Sequence, residues 1–217
     1  YVLEVSSQAD FTPLWTTPSS ATPNIALSTL TATDLVGGVT YYFRVGTLNW
    51  NGAVNYAAAV STLMPVQLGV YLTTHAISVP GQVNMGTSVL ITTSVIVTNT
   101  GNVKETYWVR ATTVSVGSPW RIGATPGVDQ YVMSMLINAT PPLAGDFGVG
   151  EDELDDVEKA CTAAVFAFGG NCVQLPIGAT RTLWFKLDTP LVTSTVATQD
   201  IRIYVRAVRD PDPDPNP

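Results

Sequence analysis

Charge is scarce in this chain. Only 12% of its 217 residues are Asp, Glu, Lys or Arg, against roughly 25% in an ordinary soluble domain. Cations are the scarcer sign. Ten Lys and Arg against seventeen Asp and Glu leave a net charge of −7. That balance excludes a general nucleic-acid binder, because neutralising phosphates needs a basic face. Intrinsic disorder is excluded as well. It requires low hydrophobicity with high charge, whereas 46% of this chain is hydrophobic and its mean hydropathy is +0.23. No apolar run reaches the ~18 residues that a membrane-spanning helix needs. There is one histidine, His75, and there are two cysteines, Cys161 and Cys172. One His and two Cys so placed build no zinc site. His75 falls in a stretch that reads as a strand, and no nucleophile elbow or comparable motif accompanies it. No motif identifies a reaction, so neither an enzyme nor a cofactor is expected.

Thr and Val take the place of the missing charge and supply about a quarter of the residues. Both are β-branched, stiff at χ1 and suited to a pleated surface. Fifteen Pro and seventeen Gly punctuate the chain. This is the composition of an all-β protein with many short strands. A surface of hydroxyls suits a secreted protein. It also suits packing against identical neighbours, since little charge must be desolvated. The chain opens on Tyr1 with no visible signal peptide, as expected of a mature form or a fragment. Cys161 and Cys172 read as one disulfide of an oxidising compartment, or else as two unlinked buried thiols. Asp210-Pro-Asp-Pro-Asp-Pro-Asn-Pro217 alternates Pro with acid. That pattern favours polyproline II and reads as a semi-rigid linker or as a tail at residues 210–217.

Residues 1–65 read as strands and turns, at Tyr1–Ser6, Leu27–Leu35, Thr40–Thr47 and Ala57–Met64, with turn chemistry at Asn49-Trp-Asn-Gly52. Leu35-Val-Gly-Gly-Val-Thr-Tyr41 follows a Leu-x-Pro-x-x-x-Tyr pattern with Gly37 in the place of Pro. On these residues the segment resembles a fibronectin type III domain. The resemblance implies that Tyr41 makes a tyrosine corner and that Tyr1–Val5 is the third strand of the sandwich. The first two strands, and the core Trp of the second, would then be missing. A sandwich lacking two strands bares an edge and an apolar face. The expected remedy is completion in trans, or by the rest of a longer precursor, at an assembly edge around Tyr1, Leu3, Val5, Ala57 and Ala59.

Pro65 marks the boundary. Residues 66–209 read as a second sandwich, with strands at Val66–Val79, Thr87–Thr98, Glu105–Val116, Gln130–Asn138, Thr180–Leu187 and Asp200–Val208. Val95-Ile-Val-Thr-Asn-Thr-Gly-Asn102, Thr106-Tyr-Trp-Val109, Pro119-Trp120, Pro176-Ile-Gly-Ala-Thr180 and Ile201-Arg-Ile-Tyr-Val-Arg-Ala207 occur in order along it. In that order they resemble bacterial surface Ig-like domains of the NEW3 and CARDB types. An insertion at about residues 126–172 departs from the pattern. Within it Leu154, Val157, Cys161, Ala164, Val165 and Phe168 recur at helical spacing, after an acidic first turn and before Gly169-Gly170. A helix is expected there.

Few residues suggest a ligand. Trp15 and Trp50 lie in loop-like segments and are candidates for an interface or a sugar contact, whereas Trp108 and Trp184 read as core. Glu151, Asp152, Asp155 and Asp156 are weak calcium candidates, lacking EF-hand spacing. The expectation is a non-enzymatic extracellular structural protein, a subunit of a bacterial surface filament or layer assembled by donor-strand exchange between copies. The alternative is a pair of adhesion or carbohydrate-binding modules from a larger secreted protein, with surface glycans as partners.

Overall fold

The structure is a computed structural model that describes residues 1–15, 20–21, 29–79 and 81–210. The first two residues of the expected stretch Leu27–Leu35, and the Asp-Pro tail beyond Asp210, lie outside the described residues. The chain divides into two compact units, the first ending at Gln67 and the second beginning at Leu68. Both are built from strands. Among the described residues no helix is long and apolar enough to cross a membrane.

In the first unit, strand β1 (Val2–Ser6) lies between β2 (Ser20–Ala21) and β3 (Thr40–Leu48). The far side of β3 is shared. Strand β4 (Val54–Tyr56) pairs with Gly46–Leu48, and β5 (Val60–Leu63) pairs with Thr40–Phe43. All pairings are antiparallel. Leu3, Val5 and Tyr41 form the buried centre of one sheet face. No second sheet covers that face among the described residues. Trp15, Leu30, Ala32 and Leu35, from irregular segments, pack there instead. Residues 29–35, expected as extended strand, are therefore coil. Their apolar side chains are used for cover, not for a ladder.

The second unit is a sandwich. One sheet runs β6 (Val70–Leu72), β7 (Ser88–Asn99), β12 (Thr180–Asp188), β10 (Gln130–Ile137), β9 (Arg121–Ile122). The other runs β11 (Lys159–Ala160), β8 (Glu105–Thr113), β13 (Ile201–Arg209). Inward residues alternate as the pleat requires. Ile91, Val95 and Val97 of β7 join Tyr107, Val109 and Ala111 of β8 in one core. β7 bulges at residues 92–94, opposite Trp184, and Ile91 and Val95 on either side of the bulge both lie in that core. The other face of the larger sheet has its own small cluster. There Leu136, Trp184 and Phe147 pack together, beside a single 3-10 turn at Ala144–Asp146. The first strand of this unit is shorter than expected. It ends at Leu72, so His75 sits exposed in a bend.

The expected helix at 154–168 is absent. Bends, an isolated bridge between Ala167 and Ile137, and the two-residue β11 occupy the segment. Its backbone is spent on neighbouring strand edges. Leu154 N donates to Met133 O, Ala111 N to Asp155 O, Cys161 N to Tyr107 O and Ile137 N to Phe166 O, at 2.8–3.0 Å. A helix would satisfy its own groups and leave the β8 and β10 edges bare. Buried backbone groups need partners, so edge closure overrides the helical period.

Candidate functional site

The open side of the first sheet is shaped by a glycine. Gly46 stands opposite Tyr56 in the β3–β4 ladder. A Cβ at Gly46 would run into Val54 Cγ1 and lie 2.9 Å from the Tyr56 ring. Without one, Tyr56 closes over β3, an aromatic covering a strand glycine. The Arg44 guanidinium then stacks between two rings, 4.0 Å from the Tyr56 centroid and 4.1 Å from that of Phe11. Glu4 binds Arg44 at 2.6 Å and accepts a hydrogen bond from the Tyr56 hydroxyl. That bond to Glu4 raises the Tyr56 pKa above the usual phenol value. One network thus ties β1, β3 and β4 together.

The opposite face is held by Tyr41. Its hydroxyl accepts a hydrogen bond from Val36 N at 3.0 Å, one residue after Leu35. Burial pushes its pKa up.

With β3 fixed on both faces, β5 presents the edge. Val60, Ser61, Thr62 and Leu63 are all exposed, Val60 at 67% and Leu63 at 62%. Among the described residues β5 pairs only with β3. Natural edge strands are blunted by charge, proline or a bulge. β5 has no charge and no proline, and Pro65 comes only after it. No Asp, Glu, Lys or Arg occurs anywhere from Val45 to Val103.

Trp50 stands close by in sequence, at the tip of the β3–β4 turn, and is wholly exposed. The turn beneath it is well braced. Asn49 Oδ1 accepts from Asn51 N and Ala53 N at 3.0 and 2.8 Å, and Gly52 takes φ +78°. An Asx turn of this kind is the chemistry that Asn and Gly supply.

The residues expected at an assembly edge differ in exposure and pairing. Leu3 and Val5 are buried, and Trp15 N donates to Val5 O at 2.8 Å. The β1 side is therefore closed within the chain, by β2 and by the segment carrying Trp15. Tyr1 is partly exposed at the start of β1. Ala57 and Ala59 are exposed but lie in the kink between β4 and β5, outside both strands. Trp15 is half-buried against Tyr41, a packing residue and not a surface platform. Trp108 lies half-buried on the outer face of the smaller sheet of the second unit, while Trp120 and Trp184 are buried, Trp120 donating to Thr193 Oγ1 at 2.8 Å.

Cys161 and Cys172 are free thiols, both buried in the core with Tyr107, and Cys172 N donates to Cys161 O at 3.1 Å. Burial pushes the Cys161 thiol well up, and a hydrogen bond with the Cys172 side chain adds to the shift. The calcium candidates do not converge. Asp152 accepts from Gly148 N, Asp155 from Asp156 N, and Glu151 is exposed to solvent. Among the described residues no group of three or more His, Cys, Asp or Glu could hold a metal ion.

Sequence reasoning missed the Glu4–Arg44–Tyr56 network, whose members are far apart along the chain and carry no spacing signal. Val60 and Leu63 fall inside the stretch Ala57–Met64 that the sequence marks as a strand, and the absence of charge around them is the accompanying clue. No protein-family model matches this chain, and no curated protein and no solved structure matches it either.

Proposed function

We propose that this protein is a non-enzymatic, extracellular structural subunit of a bacterial surface filament or layer, which assembles by pairing strands between copies. The observation that carries the reading is β5, a fully exposed, uncharged strand that among the described residues is bonded on one side only. An extended segment of a neighbouring copy adds to that edge. Backbone hydrogen bonds supply the strength, and contacts with Val60 and Leu63 fix the register. A head-to-tail contact of this kind does not close on itself, so it propagates. The fibronectin-like and Ig-like resemblances agree with the reading, and Tyr41 bonded to Val36 N has the form of a tyrosine corner.

The test places charge on the edge. Val60→Lys with Leu63→Lys abolishes polymers in negative-stain microscopy and in light scattering, while leaving the melting temperature unchanged. Polymers as abundant as those of the parent protein would overturn the reading.

A second reading rests on Trp50. A bare indole on a braced turn suits a glycan-binding module of a larger secreted protein, for which stacking on a sugar face supplies the contact. Glycan binding by a monomeric protein, lost in Trp50→Ala, supports that alternative.

A further inference from the structure

The outer face of the β11–β8–β13 sheet holds an arrangement that the strand edge does not use. Three of the ten cations of the chain, Arg110, Arg202 and Arg206, stand there with Tyr204 and Trp108 among them. Their inward neighbours, Val109, Ala111, Ile203 and Val205, fill the core. In the ladder Arg110 faces Tyr204 and Trp108 faces Arg206. The Arg110 guanidinium lies 4.0 Å from the Tyr204 centroid and that of Arg202 lies 6.0 Å from it. Arg206 lies 5.8 Å from the Trp108 ring and pairs with Glu158 at 2.5 Å. Among the described residues no ion pair involves Arg110 or Arg202. A guanidinium stacked on a ring keeps its planar N–H fork available to a carboxylate. In a chain of net charge −7, this is a concentrated cationic and aromatic surface.

The sequence also supplies a segment of the complementary chemistry. Asp210 is buried at the end of β13, its N donating to Lys104 O at 3.2 Å. Beyond it come Pro211, Asp212, Pro213, Asp214 and Pro215, with no cation. Proline at every second position favours polyproline II, which rises ~3.1 Å per residue, so successive acids fall ~6 Å apart. Along one face of a strand, alternate residues are ~6.7 Å apart. That is the step from Arg202 to the level shared by Tyr204 and Arg110. Two acids therefore match two arginines that have no ion-pair partner among the described residues. Proline rings suit the aromatic faces between them, as in other recognition of proline-rich segments. β13 runs from Ile201 to Arg209, so Arg202 stands at the end of the strand remote from the residues that follow it.

We propose that the Asp-Pro tail of one copy docks on the arginine and aromatic face of another, through Asp212 and Asp214 to Arg110 and Arg202. The proposal rests on the reading of the protein as a self-assembling subunit, and it adds a second contact between copies.

The test uses a fluorescent peptide of residues 209–217 and the full-length protein carrying Asp212→Asn and Asp214→Asn, so that its own tail does not compete. Anisotropy should show saturable binding that weakens with salt. Arg110→Gln with Arg202→Gln should weaken it about tenfold, the worth of two exposed ion pairs. A peptide with Asn in place of both acids should lose the same amount. Arg110→Glu with Arg202→Glu should abolish binding of the native peptide and restore it for a peptide with Arg at both acidic positions. That rescue also shows the variant to be folded. Equal binding to the parent and Arg→Gln proteins would overturn the proposal. So would binding of a polyuronate such as alginate by the parent protein with no binding of the peptide. Peptide binding retained by the Val60→Lys, Leu63→Lys protein supports the tail contact whatever becomes of the strand edge. Normal polymers without peptide binding overturn the tail contact and leave the edge reading in place.

Discussion

The indole of Trp15 stands edge-on to the ring of Tyr41, with 5.3 Å between centroids and 84° between planes. The pair fills the space where a second sheet would ordinarily press. Edge-to-face geometry adds about 0.5–1.5 kcal/mol to simple burial. Trp15→Ala should therefore destabilise the first unit by about 2–4 kcal/mol. Chemical denaturation followed by far-ultraviolet circular dichroism reads this. A loss below 0.5 kcal/mol, roughly the size of an ordinary surface change, would mean that the indole is not a packing residue.

Removing only the Tyr41 hydroxyl isolates a single hydrogen bond. Tyr41→Phe leaves Val36 N without its acceptor and should cost about 1–2 kcal/mol, the usual penalty for an abandoned donor. Amide exchange at Val36 should speed up in parallel. Unchanged exchange there would refute the bond.

At Gly46 even a methyl group is too much. Gly46→Ala forces Val54 and Tyr56 away from β3, and overpacking of this kind costs about 1–3 kcal/mol. The same displacement uncovers Arg44. A second variant, Tyr56→Ala, makes room for the methyl. If the clash is the cause, Gly46→Ala should be less damaging in that background than alone, as a double-mutant cycle on the melting transition will show.

A buried acid gives the second unit a pH response. Glu105 is fully buried and accepts from Gly69 N at 2.7 Å. Desolvation raises its pKa above the ordinary 4.5. The folded protein therefore holds this proton more tightly than the unfolded chain does. The stability that the site contributes is complete below about pH 4.5 and is lost as pH rises through the raised value. Asp129, Asp155 and Glu158 are shifted downwards and act in the opposite sense, losing their contribution as pH falls. Comparison with Glu105→Gln separates the two. Relative to the parent, the variant should gain stability as pH rises above about 4.5. Urea midpoints that move in parallel with pH for both proteins would contradict this.

Much of this fold can be read from local pattern, and the exceptions have a common cause. β3, β7, β8, β10, β12 and β13 lie close to where β-branched residues alternate with polar ones. Val95 and Val97 sit on the core side as their period requires. The segment 154–168 misleads because its three-and-four spacing is local, while its partners are the distant carbonyls of Tyr107 and Met133. The coil at 29–35 misleads for the same reason, since Leu30 and Leu35 are spent on covering Leu3 and Val5. At the candidate site, the edge region was legible from the run Ala57–Met64, but not which side of the sheet would be closed. That depends on Trp15, whose place over Tyr41 no spacing encodes. The arginine ladder was hidden because Arg110 and Arg202 become neighbours only once β8 and β13 have paired.

The long uncharged stretch from Val45 to Val103 has a further consequence. Salt screens ion pairs, yet excluded salts such as sulfate strengthen apolar burial. A contact made through β5 and one made through the tail must then respond to sulfate in opposite directions. Raising sulfate should favour edge-joined polymers while loosening tail contacts, and dilution should reverse the preference. Two joints with opposite ionic responses would let the surrounding medium choose which one forms first, with no change to the fold of either unit.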